Sequence, residues 1–224
     1  MARPIAGVDD AGRGPIIGPL VIAGVLIPED QQQRLRDFGV RDSKLLTPES
    51  RTKLDLFVRD AALKVSLVEA QPKEIDEFVL HGGRLRKLNF LEAQMMAKVI
   101  SDLAPAMAYV DASDVNEGRY GETIREFLPE HLKGIQIRSE HHADRTFPVV
   151  SAASIIAKVR RDGLVESLRK EFGDFGSGYM TDPKTMDFLR AWRRTHTSYP
   201  PIVRMSWKTI SQLEAELHQT RFGA

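Results

Sequence analysis

The stretch Ile5-Ala6-Gly7-Val8-Asp9-Asp10-Ala11-Gly12-Arg13-Gly14 decides how this 224-residue chain is interpreted. Its apolar start predicts a buried strand, which ends in two adjacent carboxylates and a glycine-arginine-glycine turn. Since an unpaired buried carboxylate costs several kcal/mol, Asp9 and Asp10 need compensation, and a divalent cation supplies it most directly. The glycines let backbone N–H groups come close to a ligand. The stretch therefore suits a phosphodiester beside a metal ion. The alternative is a strand end whose acids only solubilise a turn.

The composition is that of an ordinary globular protein. Hydrophobic residues make up 42% of the chain and charged residues 28%, which is enough to bury a real core. No apolar run approaches the roughly 20 residues that cross a bilayer, and Asp9 and Asp10 interrupt the N-terminal apolar segment, unlike a signal peptide. The absence of Cys excludes disulfides and thiolate metal sites. We therefore expect a cytoplasmic protein that does not span a membrane.

Basic residues cluster toward the C-terminus, although the net charge of +1 does not by itself indicate a nucleic-acid-binding protein. Few acids follow residue 184 before Glu214. The basic residues of this part are Lys184, Arg190, Arg193, Arg194, His196, Arg204, Lys208 and Arg221. Such a cluster can contact phosphates. The alternative is a solvated helix face.

The order of predicted elements indicates the fold class. Five apolar or alternating segments predict strands, at residues 5–8, 19–27, 63–69, 106–110 and 134–138. Helical patterns occur at about residues 47–60, 88–103, 115–128, 147–172, from 181 onward and at 206–220. We therefore expect an α/β protein with helices packed against a mixed sheet. We place a catalytic domain at residues 1–175 and a C-terminal helical region, packed on it and carrying substrate-contact residues, at 176–224.

Two more acids stand where a strand ends or a helix begins. Asp111 follows the strand predicted at 106–110, and Asp144 precedes the helix predicted from 147. Each has an ordinary structural explanation when taken alone, because an acid at a helix N-terminus caps the helix and offsets its dipole. Taken together, the strand-end acids at 9, 10 and 111 can meet at one edge of the sheet, where Asp144 completes the set.

Such a set of four acids predicts a site for hard cations. Oxygen donors without Cys suit Mg²⁺ or Mn²⁺ rather than zinc, and two such ions about 3.5–4 Å apart can stabilise an in-line phosphoryl displacement. Two further residues fit such a substrate. Lys44 can meet a phosphate as a point charge, and Tyr179, in the turn Gly176-Ser177-Gly178-Tyr179, can stack on a sugar or base. The alternative for Tyr179 is packing against the last helices.

Six short motifs occur in register along the chain. They are Asp-Asp-Ala-Gly-Arg-Gly at 9–14, Arg-Asp-Ser-Lys at 41–44, Tyr-Val-Asp at 109–111, Ala-Asp at 143–144 with Phe-Pro-Val-Val-Ser-Ala-Ala-Ser-Ile-Ile-Ala-Lys-Val at 147–159, Gly-Ser-Gly-Tyr at 176–179, and Arg-Met-Ser-Trp-Lys-Thr at 204–209. Together they resemble the ribonuclease HII family, and the last motif is similar to its archaeal branch. The resemblance covers residues from about 4 to about 210.

The resemblance implies an RNase H-like fold, a five-stranded mixed sheet flanked by helices, with a C-terminal helical region. It implies an endoribonuclease that cuts the RNA strand of RNA–DNA hybrids and cuts 5′ of single ribonucleotides in duplex DNA, leaving 3′-hydroxyl and 5′-phosphate ends. The metal-binding catalytic acids would be Asp9, Asp10, Asp111 and Asp144. The 2′-OH at an RNA–DNA junction would be read by the backbone of Gly12, Arg13 and Gly14 together with Tyr179, and a phosphate would be held by Lys44.

Two residues depart from the family pattern. Position 10 is Asp where the family usually has Glu, and His142 stands where many relatives have Lys. The shorter side chain draws the Asp10 carboxylate back by about one C–C bond. We therefore expect an active enzyme that favours Mn²⁺, whose coordination is less demanding than that of Mg²⁺. If His142 helps to hold substrate, activity weakens above about pH 6.5, where imidazole loses its charge.

Several alternatives stay open at this point. Ribonuclease HIII is similar but adds an N-terminal binding domain, whereas this sequence opens directly on the first strand. Junction resolvases and integrases share clustered acids but give no reason for the two glycine-rich motifs. A non-catalytic nucleic-acid-binding module has no need of four candidate acids.

The partners implied by the resemblance are RNA–DNA hybrid and ribonucleotide-containing DNA duplex, and the family expectation is a monomer. Archaeal relatives can also end in a peptide that docks on a sliding clamp. Here Gln219-Thr220-Arg221-Phe222 is at most a degenerate version of it, without paired aromatic residues. The alternative is a frayed helix end.

Overall fold

A five-stranded mixed sheet organises the protein. The computed structural model describes residues 2–40, 46–81 and 87–222, with the backbone alone at 87 and 217–222. The strands lie in the order β3-β2-β1-β4-β5, and they are β1 (Pro4–Ala11), β2 (Leu20–Pro28), β3 (Lys64–Ala70), β4 (Met107–Asp111) and β5 (Gln136–Glu140). The pairs β1–β2 and β2–β3 are antiparallel, and β1–β4 and β4–β5 are parallel. The predicted mixed sheet is confirmed.

Helices pack on both faces of the sheet and continue beyond it. Those in the described part of the chain are α1 (Gln32–Asp37), α2 (Pro48–Ala61), α3 (Pro72–His81), α4 (Lys87–Leu103), α5 (Glu117–Phe127), α6 (Ala143–Thr146), α7 (Pro148–Phe172), α8 (Pro183–Thr195) and α9 (Lys208–Phe222). The sequence did not predict α1, α3 or α6. With 6 and 4 residues, α1 and α6 are too short to show a helical period. None of the described helices is both long and apolar enough to cross a membrane.

Strand β1 contributes to two separate cores because successive side chains of a strand point to opposite faces. Ile5 and Ala11 join the cluster that contains α7, whereas Ala6 and Val8 join the cluster that contains α4. The strand continues through Ala11, so the prediction that it stops at Val8 is wrong. Its backbone pairing with β2 does not depend on side-chain polarity, and Asp9 and Asp10 stay in the ladder opposite two apolar residues of β2.

Helix α7 approaches β1 most closely at Gly7. A Cβ atom placed there would lie 2.2 Å from the carbonyl carbon of Val149 and 2.5 Å from the nitrogen of Val150. The missing side chain of Gly7 allows the backbone of α7 to come this close. The first turns of α7 are thus fixed against the strand that carries Asp9 and Asp10.

The C-terminal helices pack on the turn that follows β1. Ile16 and Ile17 share a hydrophobic cluster with Leu189, Val203 and Leu213, and Ile17 forms an antiparallel bridge with Val203. The C-terminal helical region is therefore built round the residues that connect β1 to β2. The division of the chain at residue 175 stays a prediction.

Many of the basic side chains of the C-terminal region are ion-paired. Arg193 donates to both carboxylate oxygens of Glu214, at 2.8 and 3.1 Å. Lys184 lies 2.5 Å from Asp174, and Arg204 is fully buried. Much of the positive charge is therefore offset within the region instead of being presented to phosphates as an exposed strip.

We predict that Gly7→Ala destabilises the protein by at least about 3 kcal/mol, because backbone atoms rather than a flexible side chain occupy the space that the new methyl group needs. Urea unfolding followed by circular dichroism measures the change.

Gly163→Ala is the matched control on the exposed face of α7, where an added Cβ meets nothing within 4 Å. It should raise the free energy of unfolding by up to about 1 kcal/mol, the difference in helix propensity. Equal effects of the two substitutions would contradict the close approach at Gly7.

Candidate active site

The carboxyl ends of β1 and β4 carry three of the four predicted acids. Val8 pairs with Val110 in the parallel ladder, so the next residues, Asp9 and Asp111, lie side by side. Asp10 points to the opposite face of β1 because it follows Asp9 in the strand. All three therefore lie at the same end of the sheet, at the carboxyl ends of β1 and β4.

The fourth acid, Asp144, is brought to this edge by α6. The N–H of Ala143, the first residue of α6, donates to Oδ1 of Asp111 at 2.8 Å. The carbonyl of Asp144 accepts a hydrogen bond from the hydroxyl of Ser151 on α7. These two bonds tie the short helix to β4 on one side and to α7 on the other, which fixes the backbone of Asp144.

A cavity of about 350 Å³ opens between these elements. Its lining includes every residue predicted for the acid set, the turn and the stacking position in the described part of the chain, together with three basic residues to which the sequence analysis assigned no role, Arg51, Lys158 and Arg161. The lining residues are Asp9, Asp10, Ala11, Gly12, Arg13, Gly14, Arg51, Asp111, Asp144, Ser154, Lys158, Arg161, Asp162 and Tyr179. The prediction for Lys44 lies outside the described residues. The structure thus brings the other predicted residues together, and their roles stay predictions.

Asp9 is perturbed by burial and by the neighbouring carboxylates. Its side chain is 5% exposed, its Oδ1 accepts the N–H of Asp10 at 2.7 Å, and it bonds to the Ser154 side chain. Burial, followed by the negative charges of Asp10 and Asp111, raises the pKa of Asp9 well above its ordinary value. A cation among these groups would offset the repulsion between the acids and favour the ionised form of Asp9.

Behind Asp10 lies a buried acid that the sequence analysis missed. Glu92, on α4, is fully buried, and its Oε1 lies 2.9 Å from Nε of Arg13. Burial raises the pKa of Glu92 to about 7 in spite of Arg13. Burial and the charge of Glu92 raise the pKa of Asp10 to about 7 as well. The side chain of Arg13, which also donates to Asn89, is thus held against α4 while its backbone lines the cavity.

The donor set fits hard divalent cations. Asp144 is 3% exposed and its Oδ1 has no hydrogen-bond partner, a costly arrangement for a carboxylate unless a cation meets it. Among the described residues, no three carboxylate or imidazole groups already form a cage round one ion. The acids line an open cavity instead, and Mg²⁺ in particular is commonly bound by one or two carboxylates together with waters and substrate phosphates.

The Gly-Arg-Gly turn is held from the side of the C-terminal region. Arg204 donates to the carbonyls of Gly12, Arg13 and Gly18, at 2.6, 2.9 and 2.9 Å. Gly12 has a φ of +88°, and a Cβ there would lie 2.6 Å from the carbonyl oxygen of Pro19, so the turn requires glycine. The sequence placed Arg204 in the basic cluster that can contact phosphates, whereas its buried guanidinium binds backbone carbonyls.

Tyr179 stands beside this turn. The carbonyl of Gly178 accepts the N–H of Ile16 at 2.8 Å, which joins the two glycine-rich motifs. The Tyr179 ring is 41% exposed and does not enter the C-terminal core, so the alternative of packing against the last helices does not hold. The guanidinium of Arg161 lies 5.6 Å from the ring centroid, and its Nε and Nη2 are buried without a hydrogen-bond partner.

A second cavity, of about 570 Å³, lies on the other side of Asp10 and Asp111 and is lined in part by His142. His142 is exposed and has a φ of +56° at the residue that precedes α6. The side chain is therefore near the acids, and its part in holding substrate stays a prediction.

Comparison with known proteins identifies the family. The profile of the family described as Ribonuclease HII matches residues 6–210. A ribonuclease HII of Methanosarcina barkeri is 46% identical over 222 residues, which cover 96% of this chain and 97% of that protein. The crystal structure of the ribonuclease H2 from Pyrococcus horikoshii OT3 gives a TM-score of 0.86 at 41% identity, covering 96% of this chain and 99% of that one.

A structure of the PCNA:RNase HII complex from Archaeoglobus fulgidus gives a TM-score of 0.82 at 39% identity and covers 93% of this chain and 96% of that one. These similarities confirm the resemblance carried by the six motifs. They also argue against two alternatives that the sequence left open, a ribonuclease HIII and a non-catalytic binding module. The chain therefore belongs to the ribonuclease HII family, and it is an endoribonuclease.

Proposed function

We propose that the protein hydrolyses the RNA strand of RNA–DNA hybrids and also cuts duplex DNA on the 5′ side of a single embedded ribonucleotide, leaving 3′-hydroxyl and 5′-phosphate ends. One observation supports this most: the four acids and the Gly-Arg-Gly turn line the same cavity. The 2′-OH distinguishes RNA from DNA at a given nucleotide. A turn that bonds this hydroxyl within the cavity would present the adjacent phosphodiester to the acids.

In this proposal Asp9, Asp10, Asp111 and Asp144 hold Mg²⁺ or Mn²⁺. When bound, two such cations would lower the pKa of the attacking water and offset the charge on the leaving 3′-oxygen. The protein's contribution is to fix the carboxylates. Ser154 orients Asp9, and the N–H of Ala143 orients Asp111. Because these partners belong to α7 and α6, the packing of both helices against the sheet sets the geometry of the acids.

Positive charge on the walls of the cavity would hold the phosphates of the cut strand. Lys158 and Arg161 lie on α7 and Arg51 lies on α2, and all three line the cavity. An arginine can bind a phosphate through two parallel N–H groups, whereas lysine acts as a point charge. The proposal for Lys44 as a further phosphate contact rests on the sequence motif alone.

We further propose a sliding clamp as partner and a monomeric state. The proposal of a clamp partner rests on the Archaeoglobus fulgidus structure, in which a ribonuclease HII is in complex with PCNA. Residues 219–222 belong to α9, and their sequence is at most a degenerate clamp-binding peptide. Size-exclusion chromatography with light scattering, with and without a clamp, tests both points.

We predict a metal-dependent cut 5′ of the ribonucleotide when a labelled DNA duplex with one ribonucleotide is incubated with Mg²⁺ or Mn²⁺, and no cut in EDTA. Asp144→Asn should lower the rate at least about 100-fold, which corresponds to about 2.7 kcal/mol of barrier, because the amide replaces a buried carboxylate oxygen that has no other partner.

Asp55→Asn is the matched control for this substitution. Asp55, on α2, is also buried and its Oδ1 also lacks a hydrogen-bond partner, but it does not line the cavity. Its rate should stay within about twofold of wild type, since it contacts no reacting group. Equal losses in both variants would show that the effect of Asp144→Asn is one of folding.

Asp10→Glu should shift the ion preference toward Mg²⁺. The added methylene restores the reach of the carboxylate usual in the family, and misplacement by about 1 Å can cost up to about 100-fold in rate. We expect the ratio of the Mn²⁺ rate to the Mg²⁺ rate to fall by at least about threefold in a metal titration. An unchanged ratio would contradict the idea that the short side chain sets the ion preference.

Without divalent cations, the free energy of unfolding should fall as the pH rises from about 4.5 to about 7. Over this range Asp10 and Glu92 keep their protons when folded but lose them when unfolded, so the folded state binds more protons and stability falls with pH. Each unit of pKa difference corresponds to about 1.4 kcal/mol. Thermal melts in EDTA measure the slope.

Glu92→Gln should flatten this slope, since it removes one of the acids whose pKa is raised in the folded state. Mn²⁺ should raise the melting temperature more at pH 8 than at pH 5, because it binds ionised carboxylates of the folded state. A melting temperature in EDTA that increases between pH 5 and pH 7 would contradict the direction of both pKa shifts.

A further inference from the structure

We propose that Arg204 and Trp207 are positioning residues for recognition of the 2′-OH, because Arg204 binds the carbonyls of the peptide units that carry the N–H groups of Arg13 and Gly14, and Trp207 anchors the end of the same turn. The inference rests on the proposed function and deepens it. It assigns to the segment between α8 and α9 a part in substrate selection, although the segment does not contain any of the acids.

The turn is bonded at every carbonyl. Nη2 of Arg204 donates to the carbonyl of Gly12 and Nη1 to that of Arg13, while Nε1 of Trp207 donates to that of Gly14 at 3.2 Å. A peptide unit carries its N–H and C=O on opposite sides. Because Arg204 engages the carbonyls of Gly12 and Arg13, the N–H groups of the same two peptide units, those of Arg13 and Gly14, face the other way and are left for a ligand in the cavity that the turn lines. The carbonyl that Trp207 binds precedes Pro15, whose nitrogen carries no hydrogen, so this bond fixes the end of the turn and adds no donor.

The buried charge of Arg204 is stabilised by backbone carbonyls. Its side chain is fully buried, and no carboxylate lies within 4.0 Å of it in the described part of the chain. Taking such a charge out of water costs several kcal/mol, which its three hydrogen bonds to backbone carbonyls must offset. Burial and the nearby Arg161 lower the pKa of Arg204 to about 9, so the group is still charged at neutral pH. Its N–H groups donate to the carbonyls of the turn and to that of Gly18.

The segment that carries both residues is itself rigidly attached. The carboxylate of Asp76, on α3, accepts the N–H groups of Met205 and Ser206, each at 2.8 Å. The backbone N–H of Arg204 donates to the carbonyl of Ile16 at 2.9 Å, and its guanidinium lies 4.9 Å from the centroid of the Trp207 ring. The position of the turn is thus determined by α3 through a short chain of hydrogen bonds.

Trp207→Phe tests the inference with little change of shape, since it keeps an aromatic ring beside Arg204 and removes one donor. Trp192→Phe is the matched control, because Nε1 of Trp192 donates at 3.1 Å to the carbonyl of Ser198, within the C-terminal region and away from the turn. Both variants lose one indole-to-carbonyl hydrogen bond. The measurement is kcat and KM on two substrates, a DNA duplex with one ribonucleotide and an RNA–DNA hybrid.

We expect Trp207→Phe to lower kcat/KM on the single-ribonucleotide duplex by about fivefold, roughly the effect of one hydrogen bond, and to lower it less on the hybrid, where every nucleotide of the cut strand offers a 2′-OH. The substrate ratio is kcat/KM on the single-ribonucleotide duplex divided by kcat/KM on the hybrid. Trp192→Phe should leave this ratio unchanged. Arg204→Lys, which keeps the charge but loses the planar fork, should lower the ratio further. If Arg204→Lys does not fold, the two tryptophan variants still decide.

The possible results separate the inference from the function on which it rests. Wild-type protein that cuts the hybrid but not the single-ribonucleotide duplex overturns the proposed junction cleavage, and the inference with it. Wild-type protein that cuts both, with the same substrate ratio in Trp207→Phe and Trp192→Phe, overturns the inference alone. A lower ratio confined to Trp207→Phe supports it, because a general loss of stability would affect both substrates alike.

Discussion

The parallel pairing of β1 with β4 places a buried carboxylate, Asp9, beside a half-buried one, Asp111, and the rest of the site depends on that constraint. Asp9 and Asp111 follow paired residues of adjacent strands, and Asp9 is raised in pKa by burial and by its acidic neighbours. Like charges in a poorly solvated place repel strongly. The surrounding elements reduce this cost with hydrogen bonds from Ser154 and Ala143, and a cation would remove it. The fold thus holds the acids in an arrangement that suits metal binding but lowers the stability of the metal-free protein.

The sheet and the longer helices could be predicted because their signals are local. Alternation identified β3, and helical patterns identified α2 and α8, whose first residues are prolines preceded by Thr47 and Asp182, which accept backbone N–H groups. The meeting of the acids could also be anticipated, since the carboxyl ends of parallel strands lie at one edge of a sheet. What the pattern misjudged was the end of β1, because two acids resemble a strand end even where backbone pairing continues.

Long-range partners could not be predicted in the same way. Glu92 is one charge in a helix until the fold brings it to Arg13, 79 residues away, and Arg204 is one basic residue in a cluster until its guanidinium meets Gly12, 192 residues away. A count of charges likewise suggested a phosphate-binding surface near Arg193, whereas Glu214 neutralises that side chain. Sequence composition gives the number of charges but not their partners, and the partners decide whether a charge is available to substrate.

The segment that connects β1 to β2 links the acids of β1 to the C-terminal helices. At its start the chain has just passed the acids of β1, and at Ile16 and Ile17 it enters the hydrophobic cluster of the C-terminal helices. A turn of glycines is suited to close approach but is poor at holding its own shape, because glycine has the largest conformational freedom to lose. Contacts from outside the turn must supply the order that its sequence lacks. The C-terminal region supplies them through Arg204 and Trp207, which makes it part of the site rather than an appendage to the catalytic sheet.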